Sequence, residues 1–158
     1  MQRPVEYSRN ATQQIAKGIK MGYVKDKIKR EKIERADRYA QFSSAWSAAV
    51  AKGNAAAEAS VPDVMVVSDP RTGQKWYESE GACGFAEVRL SNGTSSFAKW
   101  AKKNANFSKH YYGGLYYWVV GFGQSMTRKA AFAQACAGHL NEALSDHGVE
   151  AFATSRMD

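Results

Sequence analysis

From Ala11 to about Glu58 apolar and charged residues alternate at helical spacing. Lys25 to Arg38 combines mixed charge with strong helix formers and contains neither Gly nor Pro. Glu31 with Arg35 and Glu34 with Arg38 are acid–base pairs one turn apart, each worth about 0.2–0.5 kcal/mol. The apolar residues here (Val24, Ile28, Ile33, Ala36, Tyr39, Phe42, Trp46 and Val50) form a thin, drifting stripe. Such a stripe is too sparse for a coiled-coil seam and too regular for disorder. Gly18 and Gly22 are expected to break off a short first helix carrying Ile15 and Ile19. Ala45 to Ala59 is Ala-rich around Gly53-Asn54, and Ser60-Val61-Pro62 ends the region. The expected organisation is a basic helical extension over residues 1–60 and a compact domain over 61–158.

The pattern then changes to strand type. Val64 to Val67 is a short apolar run, Ser68 to Gly73 carries turn chemistry, and Lys75 to Glu78 resumes extended character, so a hairpin is predicted. Gly84 to Leu90 reads as a strand, Asn92-Gly93 as a turn, and Phe97 to Lys103 as a short helix capped by Ser95 or Ser96. Leu115 to Val120 is apolar on both faces, as a central strand requires. Met126, Ala130, Ala133, Ala137, Leu140 and Leu144 recur at steps of 4, 3, 4, 3 and 4, marking a core-facing helix. Ser125 or Thr127 caps that helix, Gly148 closes it, and Val149 to Ala153 forms a terminal strand. The fold class is α+β: a four- to five-stranded sheet with two helices packed on it, preceded by the helical extension.

Composition bounds the function classes. With 44% apolar and 12% aromatic residues, the 158-residue chain can build a core without staples. Cys83 and Cys136 match no metal-ligand spacing, so no metal, cofactor or disulfide framework is expected. No apolar run is long enough for a signal peptide or a membrane span, which points to a reducing cytoplasm. The net charge of +7 is uneven. Residues 1–60 hold 12 Lys/Arg against 6 Asp/Glu, and residues 61–158 hold 10 against 9. A basic extension on a nearly neutral domain favours a polyanionic partner.

Three stretches could carry chemistry. Val119 to Lys129 leads a buried strand through Gly121-Phe122-Gly123 into a helix start with Ser125, Thr127, Arg128 and Lys129. A helix N-terminus with nearby cations can seat a phosphate, although the pattern is neither GxxxxGK[ST] nor GxGxxG and a capped turn explains it equally. Lys109 to Trp118 interleaves aromatics with basic residues, the combination that stacks on unpaired bases. If Leu115, Tyr117 and Val119 face the helices, Tyr116, Trp118 and Val120 share the opposite face, as a stacking platform or under the N-terminal helices. Gly84, Phe85, Ala86 and Val88 fit the signature strand of RNA-recognition motifs, whereas Cys83, Glu87 and Leu90 depart from it. The expected element order also departs from that fold, so the match reads as coincidence. Catalytic candidates are scattered: Cys83, Cys136, His110, His139 and the carboxylates Glu78, Glu80 and Glu87 have no spacing that compels convergence. No catalytic residue is assigned, and the balance is against an enzyme.

The blocks GACGFAEVRL, SSFAKWAKKN, YYGGLYYWVV, QSMTRKAAFAQACA and AFATSRMD together resemble a group of small bacteriophage-encoded proteins of unassigned function, over roughly residues 80–158. The resemblance implies a viral protein acting in the host cytoplasm or packaged in the virion, with the closing Ser155 to Asp158 belonging to the domain. It carries no catalytic residues to transfer. The leading expectation is a non-enzymatic accessory protein that binds DNA or RNA. Lys25, Lys29, Lys32 and Arg128 would neutralise phosphates, with Tyr116 and Trp118 stacking. The alternative is a module that docks on a host or viral protein through Tyr39, Phe42 and Trp46.

Overall fold

A computed structural model describes residues 5–158, with side chains described at 14, 17 and from 20 onward. The chain divides into two units, Met1–Ala40 and Gln41–Asp158. Helix α1 is continuous over Val5–Ala59. Gly18 and Gly22 therefore do not interrupt it; a helical Gly costs only about 1 kcal/mol, which good neighbouring helix formers offset. The side chains of Ile15 and Ile19 lie outside the described residues.

In the first unit every described side chain is exposed. The compact unit begins at Gln41, about twenty residues before the boundary at residues 60–61 that the sequence favours. Its part of α1 carries the stripe Phe42, Ala45, Ala49, Gly53 and Ala57, all buried and spaced by three or four residues. Small residues let the backbones approach: a Cβ on Gly53 would stand 2.7 Å from Cys136 Sγ and 2.8 Å from the Phe132 ring.

The remaining elements are β1 (Met65–Ser68), β2 (Lys75–Glu78), β3 (Gly84–Leu90), α2 (Ser96–Asn104), β4 (Ser108–Lys109), β5 (Leu115–Trp118), α3 (Met126–Ala143) and β6 (Ala151–Met157). β1 and β2 pair as an isolated antiparallel hairpin. Its turn is pinned by Asp69 Oδ1, which accepts the Arg71 backbone N–H at 2.8 Å; that bond holds the carboxyl below its ordinary pKa.

The other four strands form one antiparallel sheet in the order β4-β5-β3-β6. The chain thus runs β-α-β-β-α-β, and its strands, numbered in turn, lie 4-1-3-2 across the sheet, the split βαβ arrangement. That corrects the expected element order, which lacked β4. With two residues and no apolar alternation, β4 has no periodic signal to read.

Three helical segments, not two, cover one face of this sheet. Ala86, Val88 and Leu90 of β3 and Leu115 of β5 join one core with α2, α3 and residues 42–57 of α1. Phe42 meets Phe97 and Trp100 of α2 edge-on, and Trp46 meets Phe107 and Tyr117. Asn141 clamps α3 to the start of β6, accepting from Ala151 N–H at 2.7 Å and donating to its carbonyl at 2.8 Å. Among the described residues no helix is long and apolar enough to cross a membrane.

Candidate functional site

Alternation along the strands sends every second residue to the opposite, uncovered face. On β3 these residues are Phe85, Glu87 and Arg89, each half-buried between the buried positions of the core face. The register sets Glu87 against Trp118 and Arg89 against Tyr116 on one side. On the other side it sets Phe85 against Arg156, Glu87 against Thr154 and Arg89 against Phe152. The two inner strands thus present three aromatic rings side by side, one from β3 and two from β5.

Phe85 and Trp118 lie 5.1 Å apart, centroid to centroid. The Arg156 guanidinium stands 5.5 Å over Phe85, and that of Arg89 stands 5.2 Å over Phe152. Between these groups is an open cavity of about 550 Å³, whose walls include Phe85, His110, Tyr116, Trp118 and Arg156, with Glu87 at its floor. That volume is within the roughly 300–1,000 Å³ typical of ligand pockets.

The floor is polar. Glu87 Oε1 accepts from Thr154 Oγ1 at 2.9 Å and lies 3.4 Å from His110 Nε2 and 4.0 Å from Arg89 Nε. His110 is set by the turn before β5: its backbone N–H donates to the Gly114 carbonyl, and its carbonyl accepts from Gly113. The Tyr112 backbone N–H donates to His110 Nδ1 at 3.1 Å, so the hydrogen-bond network assigns the ring proton to Nε2, facing Glu87.

The supposed phosphate seat at Gly121 to Lys129 is built differently. Gly121, Phe122 and Gly123 all have positive φ, a left-handed turn that packs Phe122 near Phe132 of the core. Ser125 is fully buried and caps α3, accepting from Arg128 N–H at 3.5 Å, while Met126 N–H donates to the Ala82 carbonyl. Thr127 stands half-buried in the same turn. Arg128 turns away from the loop. Its Nε donates to Glu80 Oε2 at 2.7 Å, and its Nη1 to the carbonyls of Ala57 and Ser60 at 3.0 and 3.2 Å, capping the end of α1. Lys129 is buried, donates to the Gly84 carbonyl at 2.9 Å and sits 5.5 Å from the Phe85 ring centre. Both cations are consumed by structure, and the helix start has lost its anion-seat character.

The other candidates separate as clearly. Lys25, Lys29 and Lys32 are exposed and, at steps of four and three, share one face of α1. Phe42 is completely buried and so is not available as a docking anchor, Trp46 is half-buried against the core, and Tyr39 is exposed at 39%. Cys136 donates to the Ala49 carbonyl at 3.1 Å, and burial pushes its thiol up to about 12. That is the opposite of an activated nucleophile. Glu80 pairs with Arg128 and Glu78 lies in the hairpin, so the carboxylates do not converge on Glu87. Among the described residues no group of three or more His, Cys, Asp or Glu side chains could hold a metal ion. Sequence reasoning missed Glu87, His110, Thr154 and Arg156 as one cluster. For Glu87, Thr154 and Arg156 the only signal is strand alternation, usable once the register across β6 is known, and His110 reaches them from the turn before β5.

No protein-family model matches the chain, and neither a curated protein nor a solved structure matches it significantly.

Proposed function

We propose that the protein binds single-stranded nucleic acid on the uncovered face of its four-stranded sheet. The observation that carries this reading is the row Phe85, Trp118 and Tyr116 on the two inner strands, flanked by Arg89, Arg156 and Lys109. Aromatic faces accept unstacked bases, each worth about 1–3 kcal/mol, while the guanidinium and ammonium groups at the margins meet phosphates. RNA-recognition motifs bind through a four-stranded sheet in the same manner. Of the partial match at Gly84, Phe85, Ala86 and Val88, only Phe85 lies on this face. Duplex DNA is a poorer partner, because its bases are already stacked and the cavity is a concave pocket rather than a ridge for a groove. The exposed lysines Lys25, Lys29 and Lys32 add a sequence-independent attraction for the same polyanion. Combined with the resemblance to phage-encoded proteins, the reading is of a non-enzymatic accessory protein handling single strands in the host cytoplasm or the particle.

The test is a fluorescence-anisotropy titration of the full chain with labelled single-stranded DNA and RNA across a range of salt concentrations. Binding should weaken linearly on a log–log plot, with a slope set by the number of phosphates neutralised. Absence of binding to any strand at low salt overturns the proposal. The rival docking reading keeps Tyr39 and part of Trp46 but loses Phe42 to the core.

A further inference from the structure

A carboxylate is an unexpected residue in the middle of a face offered to phosphates, since it repels them. Glu87 is nonetheless held there with care. Its side chain is 16% exposed, Oε1 is fixed by Thr154, and His110 Nε2 lies against the same oxygen. Its Oε2 receives no hydrogen bond among the described residues, and the Glu87 side chain lines the cavity. An ionised carboxylate is an acceptor only, with several lone pairs on two oxygens, so what it can recognise in a ligand is a donor. An acceptor that a bound base covers without matching is penalised, which makes the choice of base selective.

The nucleobases differ sharply in what they could offer. Guanine presents two adjacent donors, N1–H and the N2 amino group, matched to the two oxygens of a carboxylate. Adenine and cytosine present one amino group beside a ring nitrogen that is itself an acceptor. Thymine and uracil present one N–H flanked by two carbonyl oxygens, which the carboxylate repels. We infer that the cavity selects guanine, whose Watson–Crick edge donates to Glu87 while its ring stacks on Tyr116 or Trp118. The inference rests on the nucleic-acid reading for its ligand, and the base is supplied either by a strand or by a free guanine nucleotide. Thr154 and His110 act as positioning residues that keep the carboxylate turned toward the cavity.

The experiment uses the full chain and oligothymidylates carrying a single central guanine, hypoxanthine, adenine or cytosine, with free guanosine monophosphate as a separate ligand. The guanine strand should bind about tenfold tighter than unsubstituted oligothymidylate or the adenine and cytosine strands. Hypoxanthine, lacking the N2 amino group, should fall between. Glu87→Gln should bring the guanine preference within about twofold of unity, and loss of the repelling charge should raise oligothymidylate affinity. Thr154→Val should lower the preference less. Equal affinity for all strands overturns the guanine inference and leaves strand binding standing, as does a preference that survives Glu87→Gln intact. Binding of guanosine monophosphate but of no strand keeps the guanine pocket and overturns the strand reading. Binding of neither overturns both.

Discussion

The two faces of the four-stranded sheet are made from the same strands and differ by a single step of alternation. On one face Ala86, Val88, Leu90 and Leu115 are buried under three helical segments. On the other, Phe85, Glu87, Arg89, Tyr116 and Trp118 are half-buried or exposed around a cavity. The covered face contributes through area removed from water and tolerates no polar group without a partner. The uncovered face retains aromatic surface that folding does not need to bury, together with a carboxylate held by neighbours 23 and 67 residues away along the chain. Surface that is apolar, shaped and left open is where a ligand completes the burial. The difference separates stability from function by face.

Substitutions on the two faces should therefore fall into different measurements. The largest effect is expected at Phe42, which is fully buried against Phe97 and Trp100. Phe42→Ala should cost about 3–5 kcal/mol in urea unfolding. A loss below about 1 kcal/mol would mean that this part of α1 does not belong to the core. On the open face, Tyr116→Ala and Trp118→Ala should each weaken strand binding by about 1–3 kcal/mol. The same changes should cost less in unfolding than Phe42→Ala, and the reverse order would break the comparison.

Arg128 tests the boundary between the two roles. Arg128→Met strands the carbonyls at the end of α1 and should lower stability by about 1–3 kcal/mol with strand affinity unchanged. Loss of affinity at constant stability would restore it as a phosphate ligand. A pH-dependent effect comes from Cys136. Its thiol is raised from the ordinary 9.0 to about 12 by burial, so between those values the unfolded chain loses a proton that the folded chain keeps. Stability should fall by about 1.4 kcal/mol per pH unit over that window from this group. Cys136→Ala should flatten the decline in a thermal-unfolding series, and an unchanged slope would contradict it. Burial and the nearby Cys136 raise Tyr117 in the same sense, so part of the decline should persist. The smallest effect is at Gly22, where an added Cβ meets nothing within 4 Å. Gly22→Ala should leave the compact unit's unfolding unchanged and raise helicity slightly by circular dichroism, the intrinsic gain being about 1 kcal/mol.

Much of the fold was legible. The hairpin, the strand Gly84–Leu90, the cap at Ser95, the central strand at Leu115 and the helix starting at Met126 all follow from local chemistry and periodicity, although that helix stops at Ala143 and Gly148 instead caps a 3-10 turn over Ser145–His147. The open-face position of Tyr116 and Trp118 was likewise contained in alternation. The cluster around Glu87 was not, because Glu87 and His110 read only as scattered candidates and Thr154 and Arg156 as ordinary surface residues. Nor was the fate of Arg128 and Lys129, whose charges point by composition to an anion and by contact to backbone carbonyls.

The chain itself determined which face of each element is apolar and where each element stops. It also concentrated the charge: residues 1–40 hold 11 Lys/Arg against 5 Asp/Glu, so the excess of +6 is unchanged by moving the boundary to Gln41. Only tertiary structure decided what those faces meet. Periodicity specifies a direction relative to an element's own axis and carries no information about the partner across the gap. Register and close approach supply it. They place Gly53 against Cys136, Arg128 at the end of α1, and Thr154 and His110 on one carboxylate oxygen at the centre of the open face.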